Sequence, residues 1–237
     1  MAETTEQELT AEEAAKLASV QDDADALAAL VDELGARTRR KRQFAARVLA
    51  LVAQRDPEML APYIGDMIDA LEVSEAQTRW EVLDALTCLV ESHGKEVGAA
   101  YEGAETALFD ELSSTLRFSA FRFLCSWGAT DRGRSKKVWP LIDEAIQCYH
   151  GDLEYHDMLV CLHEFAQGKI EGGVAGELAA RLKFDAENGK GAFLKAHSSE
   201  IYDMLVKRFK LDTSKKRKRA TVAKDEGDSQ ENDENEE

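Results

Sequence analysis

Proline is nearly absent, at 3 in 237 residues, aromatics make up only 7%, and there is no run of β-branched residues. Strands are built from β-branched and aromatic residues, whereas proline interrupts helix interiors; their scarcity, with abundant Ala and Leu, points to an all-α chain. No stretch approaches the roughly 20 apolar residues that cross a bilayer. Met1 to Thr10 are polar and acidic, without the cationic start and apolar run of a secretory signal. A cytoplasmic location is the expectation. Catalytic signatures are missing too: there is no Gly-rich phosphate loop, no G-x-S-x-G and no H-E-x-x-H, so the reading is of a non-enzymatic protein that needs no cofactor. Cys148, His150, His156, Cys161 and His163 cluster in sequence, but their spacings match no CxxC or HxxxH pair, and no metal is assigned. The cysteines, Cys88, Cys125, Cys148 and Cys161, are expected to be reduced thiols packed inside helices.

The net charge of −16 is uneven. Residues 1–33 hold ten acids against Lys16 alone, residues 220–237 hold eight against Lys224 alone, and residues 34–219 carry 28 of each sign. A neutral middle disfavours general nucleic-acid binding, although the local arrangement of charge still matters.

What the middle does contain is a register. Arg42, Arg79, Arg117 and Tyr155 are separated by 37, 38 and 38 residues, and the positions +3, +4, +7 and +10 from each are all apolar. They are Ala45, Ala46, Leu49 and Val52; Val82, Leu83, Leu86 and Leu89; Ala120, Phe121, Leu124 and Trp127; Met158, Leu159, Leu162 and Phe165. Each set forms one stripe of a helix, and a near-constant period is what a stack of equivalent helical units requires. Between these stripes the pattern predicts a loosely held short helix from Thr10, a firmer helix from Asp22 to Gly35, and helices at 37–54, 76–91, 99–112, 114–128, 153–167 and 193–210; Gly172, Gly173 and Gly176 loosen the stretch after 168, where Leu178 and Leu182 support a helix to about Glu187. The helix after Asp56-Pro57 completes a pair with 76–91. The Gly- and base-rich stretch 129–137 reads as a loop. The last helix, with Ile201, Tyr202, Leu205 and Phe209, is out of register, as terminal repeats often are.

Met59-Leu60-Ala61-Pro62-Tyr63-Ile64, followed by Thr78-Arg79 and by Val82, Leu83, Ala85 and Leu86, resembles a HEAT repeat. Thr38 to Val52 with Arg42, and Ser114 to Trp127 with Arg117, repeat its second-helix part, and the resemblance covers 22–210 as about five antiparallel helix pairs. Two departures are Tyr155 in place of the arginine and an inconsistently placed acid before it. The resemblance implies an α-solenoid, a right-handed superhelix whose second helices line a concave surface, and a scaffold or adaptor that holds other molecules. The expected division is an acidic segment 1–21, a HEAT-like domain 22–211 and a disordered basic-then-acidic tail 212–237.

On that concave surface the +1 row is Gln43, Trp80, Phe118 and His156, and the +5 row is Arg47, Asp84, Arg122 and Val160. Aromatics on a solvated helix face provide rigid contact area, so Trp80, Phe118 and His156, flanked by Arg47, Asp84 and Arg122, are the candidate protein-binding residues. Packing of Trp80 and Phe118 against a neighbouring helix is the plainer reading. Arg39, Arg40 and Arg42, and Arg132, Arg134, Lys136 and Lys137, are candidate phosphate contacts or solvated faces paired with acids, the N-terminal ones included. Lys215, Lys216, Arg217, Lys218 and Arg219 resemble a nuclear-localisation signal. The alternative to a protein adaptor is a nucleic-acid protein akin to the HEAT-like DNA alkylation-repair glycosylases, which are similar in length and repeat build; it would require a positive concave face with an acid and aromatics in a base-sized pocket.

Overall fold

In the computed structural model, residues 9–211 are described; the tail 212–237, with its cationic run 215–219, lies outside them. Twelve helices and no strand are present among the described residues. The chain begins with α1 (Ala11–Gln21), then pairs α2 (Ala24–Asp32) with α3 (Arg39–Arg55), and α4 (Ile64–Asp69) with α5 (Ala76–Cys88). The short α6 (Val90–His93) leads to α7 (Tyr101–Leu108), paired with α8 (Ser114–Ala129). The last pairs are α9 (Arg132–Tyr149) with α10 (Tyr155–Gln167), and α11 (Gly172–Asn188) with α12 (Ala192–Phe209). That makes five pairs. Second helices pack in succession, α3 on α5, α5 on α8, α8 on α10 and α10 on α12, which gives the array its one-dimensional order.

All sixteen stripe residues are buried. Because i, i+3, i+4 and i+7 lie on one helix face, each second helix presents a continuous apolar strip to its neighbours, and the strips merge into one core running along the array. Leu83, Leu86, Phe121 and Phe165 are among its fully buried side chains.

Local chemistry explains where the helices depart from expectation. The basic stretch 129–137 is not a loop: Asp131 caps α9, its carboxylate accepting from the Gly133 and Arg134 N–H groups at 2.7 and 3.3 Å, so helix begins at Arg132. Pro140 then sits inside that helix, whereas Pro62, 78 residues earlier, sits inside a 3₁₀ run, Pro57–Tyr63, ahead of α4. The helix expected over 99–112 stops at Leu108 because Asp110 takes the Leu112 and Ser113 N–H groups at 3.0 and 2.9 Å and closes a turn. The N-terminal helix is firmly attached. A capping box joins Thr10 to Glu13, and Leu17 (1% exposed) and Val20 (0%) pack into the core beside α2 and α3.

The anchor arginines turn the repeat into a chain of ties. Arg42 reaches Glu75 at the start of α5 and donates to the Ala36 carbonyl at 2.6 Å. Arg79 lies 3.9 Å from Asp110, ahead of α8. Arg117 donates to Glu154, at the start of α10, at 2.5 Å and to the Asp110 carbonyl at 3.0 Å. The partner acid therefore belongs to the following unit, which is why it has no fixed place before the arginine of its own. Tyr155, at the fourth anchor, has a buried hydroxyl with no hydrogen-bond partner, and its ring packs 5.0 Å from that of His150. There the carboxylate of Asp185, a residue only 5% exposed, is met by His150 Nε2 at 2.9 Å.

Leu83→Ala should cost about 2–5 kcal/mol, read from denaturant midpoints; a loss under about 1 kcal/mol would mean that the stripe is not core. The ties also set an acid limit. The Arg117 hydrogen bond holds the Glu154 carboxyl below its usual range, so its stabilisation is present above the unfolded value of about 4.3 and is lost as pH falls through the depressed folded value. Glu154→Gln should therefore lose less stability than the wild type between about pH 5 and 3; an unchanged pH profile would place the acid sensitivity elsewhere.

Candidate partner-binding face

The outward side of the second helices carries the predicted rows. Trp80 on α5 and Phe118 on α8 are half-buried, each resting against the core, as the packing reading expects, with part of its ring open. The other two tryptophans are committed to the interior: Trp127 donates its indole N–H to the Gly94 carbonyl at 2.7 Å, and Trp139 donates to Glu177 at 2.5 Å. Gln43 is half-buried and His156 is exposed. His156 stacks 4.5 Å from Phe193 on α12, which in turn lies 4.0 Å from His197. Phe193 thus extends the aromatic row by one unit. It lies 37 residues after His156, the period of the row, although the apolar stripe of α12 is itself out of register.

The +5 row forms ion pairs between neighbouring second helices. Arg47 lies between Glu13 of α1 at 3.5 Å and Glu81 of α5 at 3.6 Å, and Arg122 meets Asp84 at 2.6 Å across α5 and α8. Val160 continues the row without charge. Burial pushes the Glu81 and Asp84 carboxyls up, with Arg47 and Arg122 respectively opposing the shift. Burial acts upward on Glu13 as well, but its bonds to Thr10 and its contact with Arg47 bring it below the usual range. An open cleft of about 590 Å³ lies over these groups, lined by Glu13, Arg47, Gln77, Trp80, Glu81 and Asp84, with Thr10 and Thr115 at its margins. Glu13, Gln77 and Glu81 were not among the residues expected from sequence. Glu81 follows Trp80 directly in the chain, so the signal for it was one residue away; Glu13 joins only through the docking of α1.

The two basic clusters differ. In the first, Arg42 is consumed by Glu75 and Arg40 lies 3.8 Å from Glu12, both largely exposed, while Arg39 is exposed. The acidic N-terminal helix thus takes up part of this charge. In the second, Arg132 and Lys136 are exposed on the first turns of α9. Arg134 bonds the Thr130 hydroxyl at 2.8 Å and lies over the Trp127 ring, and Lys137 lies 3.9 Å over the Tyr101 ring. Among the described residues, none of these four cations has a carboxylate within ion-pair distance, in contrast to Arg42, Arg47 and Arg122.

No group of three or more His, Cys, Asp or Glu is placed to hold a metal ion among the described residues; His150 pairs with Asp185 and His163 with Glu200. No helix among them is long and apolar enough to cross a membrane. The thiols divide. Cys125 and Cys161 are buried, but Cys88 and Cys148 are exposed, because these two fall off the apolar stripe of their helices.

No family model matches the chain, and no curated protein matches it. Solved structures do. An engineered protein superposes with a TM-score of 0.63 at 14% identity, covering 86% of this chain and 93% of its own. Computationally designed armadillo repeat proteins for modular peptide recognition give 0.59 at 12%, covering 76% and 82%. A HEAT-like repeats protein from the archaeon Thermococcus onnurineus gives 0.55 at 13%, covering 84% and 94%. The fold is a HEAT-like, armadillo-like helical repeat.

Burial pushes the Cys125 thiol well up and the Cys161 thiol up to about 12. Since the thiolate is the reactive form, a disulfide reagent should titrate Cys88 and Cys148 in the native protein and reach Cys125 and Cys161 only in denaturant. Four equally fast thiols would contradict the packing described.

Proposed function

We propose that this protein is a non-enzymatic scaffold that binds a segment of a protein partner along the face of its second helices. The observation that carries this reading is the pair of half-open aromatics, Trp80 and Phe118, at one register on adjacent helices, bordered by charges that are already satisfied by one another. Binding faces gain most from rigid aromatic surface whose burial leaves no charge unpaired. Arg47 with Glu81 and Arg122 with Asp84 meet that condition, because a partner covering Trp80 and Phe118 need not strip water from a lone ion. The likeness to designed armadillo proteins made for peptide recognition supports the same use of the face, and His156 with Phe193 extends it toward α12.

A nucleic-acid partner keeps one observation in its favour: Trp80 and Asp84 line the same cleft. The charge around that cleft is mixed, however, with Glu13, Glu81 and Asp84 set against Arg47 and Arg122, and a phosphate backbone requires net positive potential.

Selection of a displayed peptide library on the full chain tests the proposal. Selected peptides should lose about tenfold or more in affinity for Trp80→Ala/Phe118→Ala, with circular dichroism unchanged and only shallow dependence on salt. Peptides that bind the double variant equally well would move the site off this face. Affinity for DNA falling steeply with salt, and no peptide selected, would favour the nucleic-acid reading.

A further inference from the structure

We infer that the acidic stretch 225–237 of this chain docks on the basic crevice between the end of α8 and the start of α9. The crevice, about 490 Å³, is lined by Lys95, Arg134 and Lys169 together with Thr130 and Gly168, and two carboxylates, Glu91 and Glu96, share the lining. Arg132, Lys136 and Lys137 follow along α9. None of these six cations has a carboxylate within ion-pair distance among the described residues, whereas the arginines of the ties and of the partner-binding face do. Glu91 and Glu96 are near enough to share the lining but pair with none of the six.

The complementary charge lies in residues 225–237, which hold eight acids and no base. The described chain also delivers them to the right edge. Arg208, near the end of α12, donates to the Ala166 and Gly168 carbonyls at 2.7 Å each, and Leu211 lies beside Gly176 of α11. Gly168 is itself part of the crevice lining, so the chain leaves the fold next to the site. The fourteen residues from Leu211 to Asp225 reach at most about 46 Å when extended. A tethered ligand at that reach has an effective concentration of the order of millimolar, which suits a contact made of charges that salt readily screens. An anionic partner, a phosphorylated or acidic segment for instance, must displace this stretch before it can use the crevice.

Residues 215–219 are the competing cations, and lysine labelling separates the two. In the full chain, rates of reductive methylation at each lysine are read by mass spectrometry at about 20 mM and about 0.5 M salt. The comparison is with Asp225→Asn/Glu226→Gln/Asp228→Asn/Glu231→Gln/Asp233→Asn. At low salt Lys95, Lys136, Lys137 and Lys169 should react about threefold or more slowly in the wild type than in this variant, and high salt should remove the difference. Lys183 on α11, already paired with Glu187, is the internal standard. Equal rates at the four crevice lysines would overturn the inference. So would release confined to Lys215, Lys216 and Lys218, which would show the acids pairing with their own neighbours in the chain.

Discussion

Each of the first three units is tied to the next by an arginine that reaches forward to an acid: Arg42 to Glu75, Arg79 to Asp110, Arg117 to Glu154. Apolar stripes alone would hold second helices together while leaving them free to slide, since hydrophobic contact is non-directional. A guanidinium that also binds a turn carbonyl, as Arg42 binds that of Ala36 and Arg117 that of Asp110, fixes both rotation and register. The placement of every outward side chain follows from that fixing, including the alignment of Trp80 with Phe118. Glu75 and Arg79 are largely buried, so removal of either would leave an uncompensated charge.

Much of this was legible in the chain because a period that recurs four times over-determines its own reading. The sixteen apolar positions came from spacing, and the five pairs with the identity of the second helices from the resemblance to HEAT repeats. Errors arose where a single side chain outweighs composition. Asp131 makes a helix start of a stretch rich in Gly and Arg, Asp110 ends a helix four residues early, and the burial of Leu17 and Val20 secures a segment that reads as a loosely held helix. Pairings between units were invisible for another reason: Glu13 with Arg47 and Asp84 with Arg122 span 34 and 38 residues, and no local pattern records which of many acids a given arginine will meet. Phe193 was legible by the same period, 37 residues after His156, but the shifted apolar stripe of α12 drew the count off the row.

The outward face is notable for how little free charge it retains. Arg47, Glu81, Asp84 and Arg122 are bound to one another across the helices, and desolvation raises both Glu81 and Asp84. Their pairing surrounds Trp80 and Phe118 with compensated charge, which is the condition the proposed use of this face requires. The α8–α9 edge contrasts with it: there Arg134 and Lys137 lie over the Trp127 and Tyr101 rings, contacts that orient a charge without neutralising it.

The fourth anchor breaks the sequence of ties. Tyr155 brings a buried hydroxyl with no partner, and the nearby acid, Asp185, is held by His150. The turn beside it needs Gly151 at φ +99°, and the turn into α12 needs Gly191 at φ +114°, whereas no residue earlier in the chain has positive φ among those described. The arginine ties therefore run through the first four units, and the last pair is held to them by other contacts, Arg181 on Asp143 and Arg208 on the Ala166 and Gly168 carbonyls. A displacement of α12 reaches the Trp80–Phe118 platform only through those contacts and the shared core, because among the described residues no anchor arginine couples the fifth unit to the fourth.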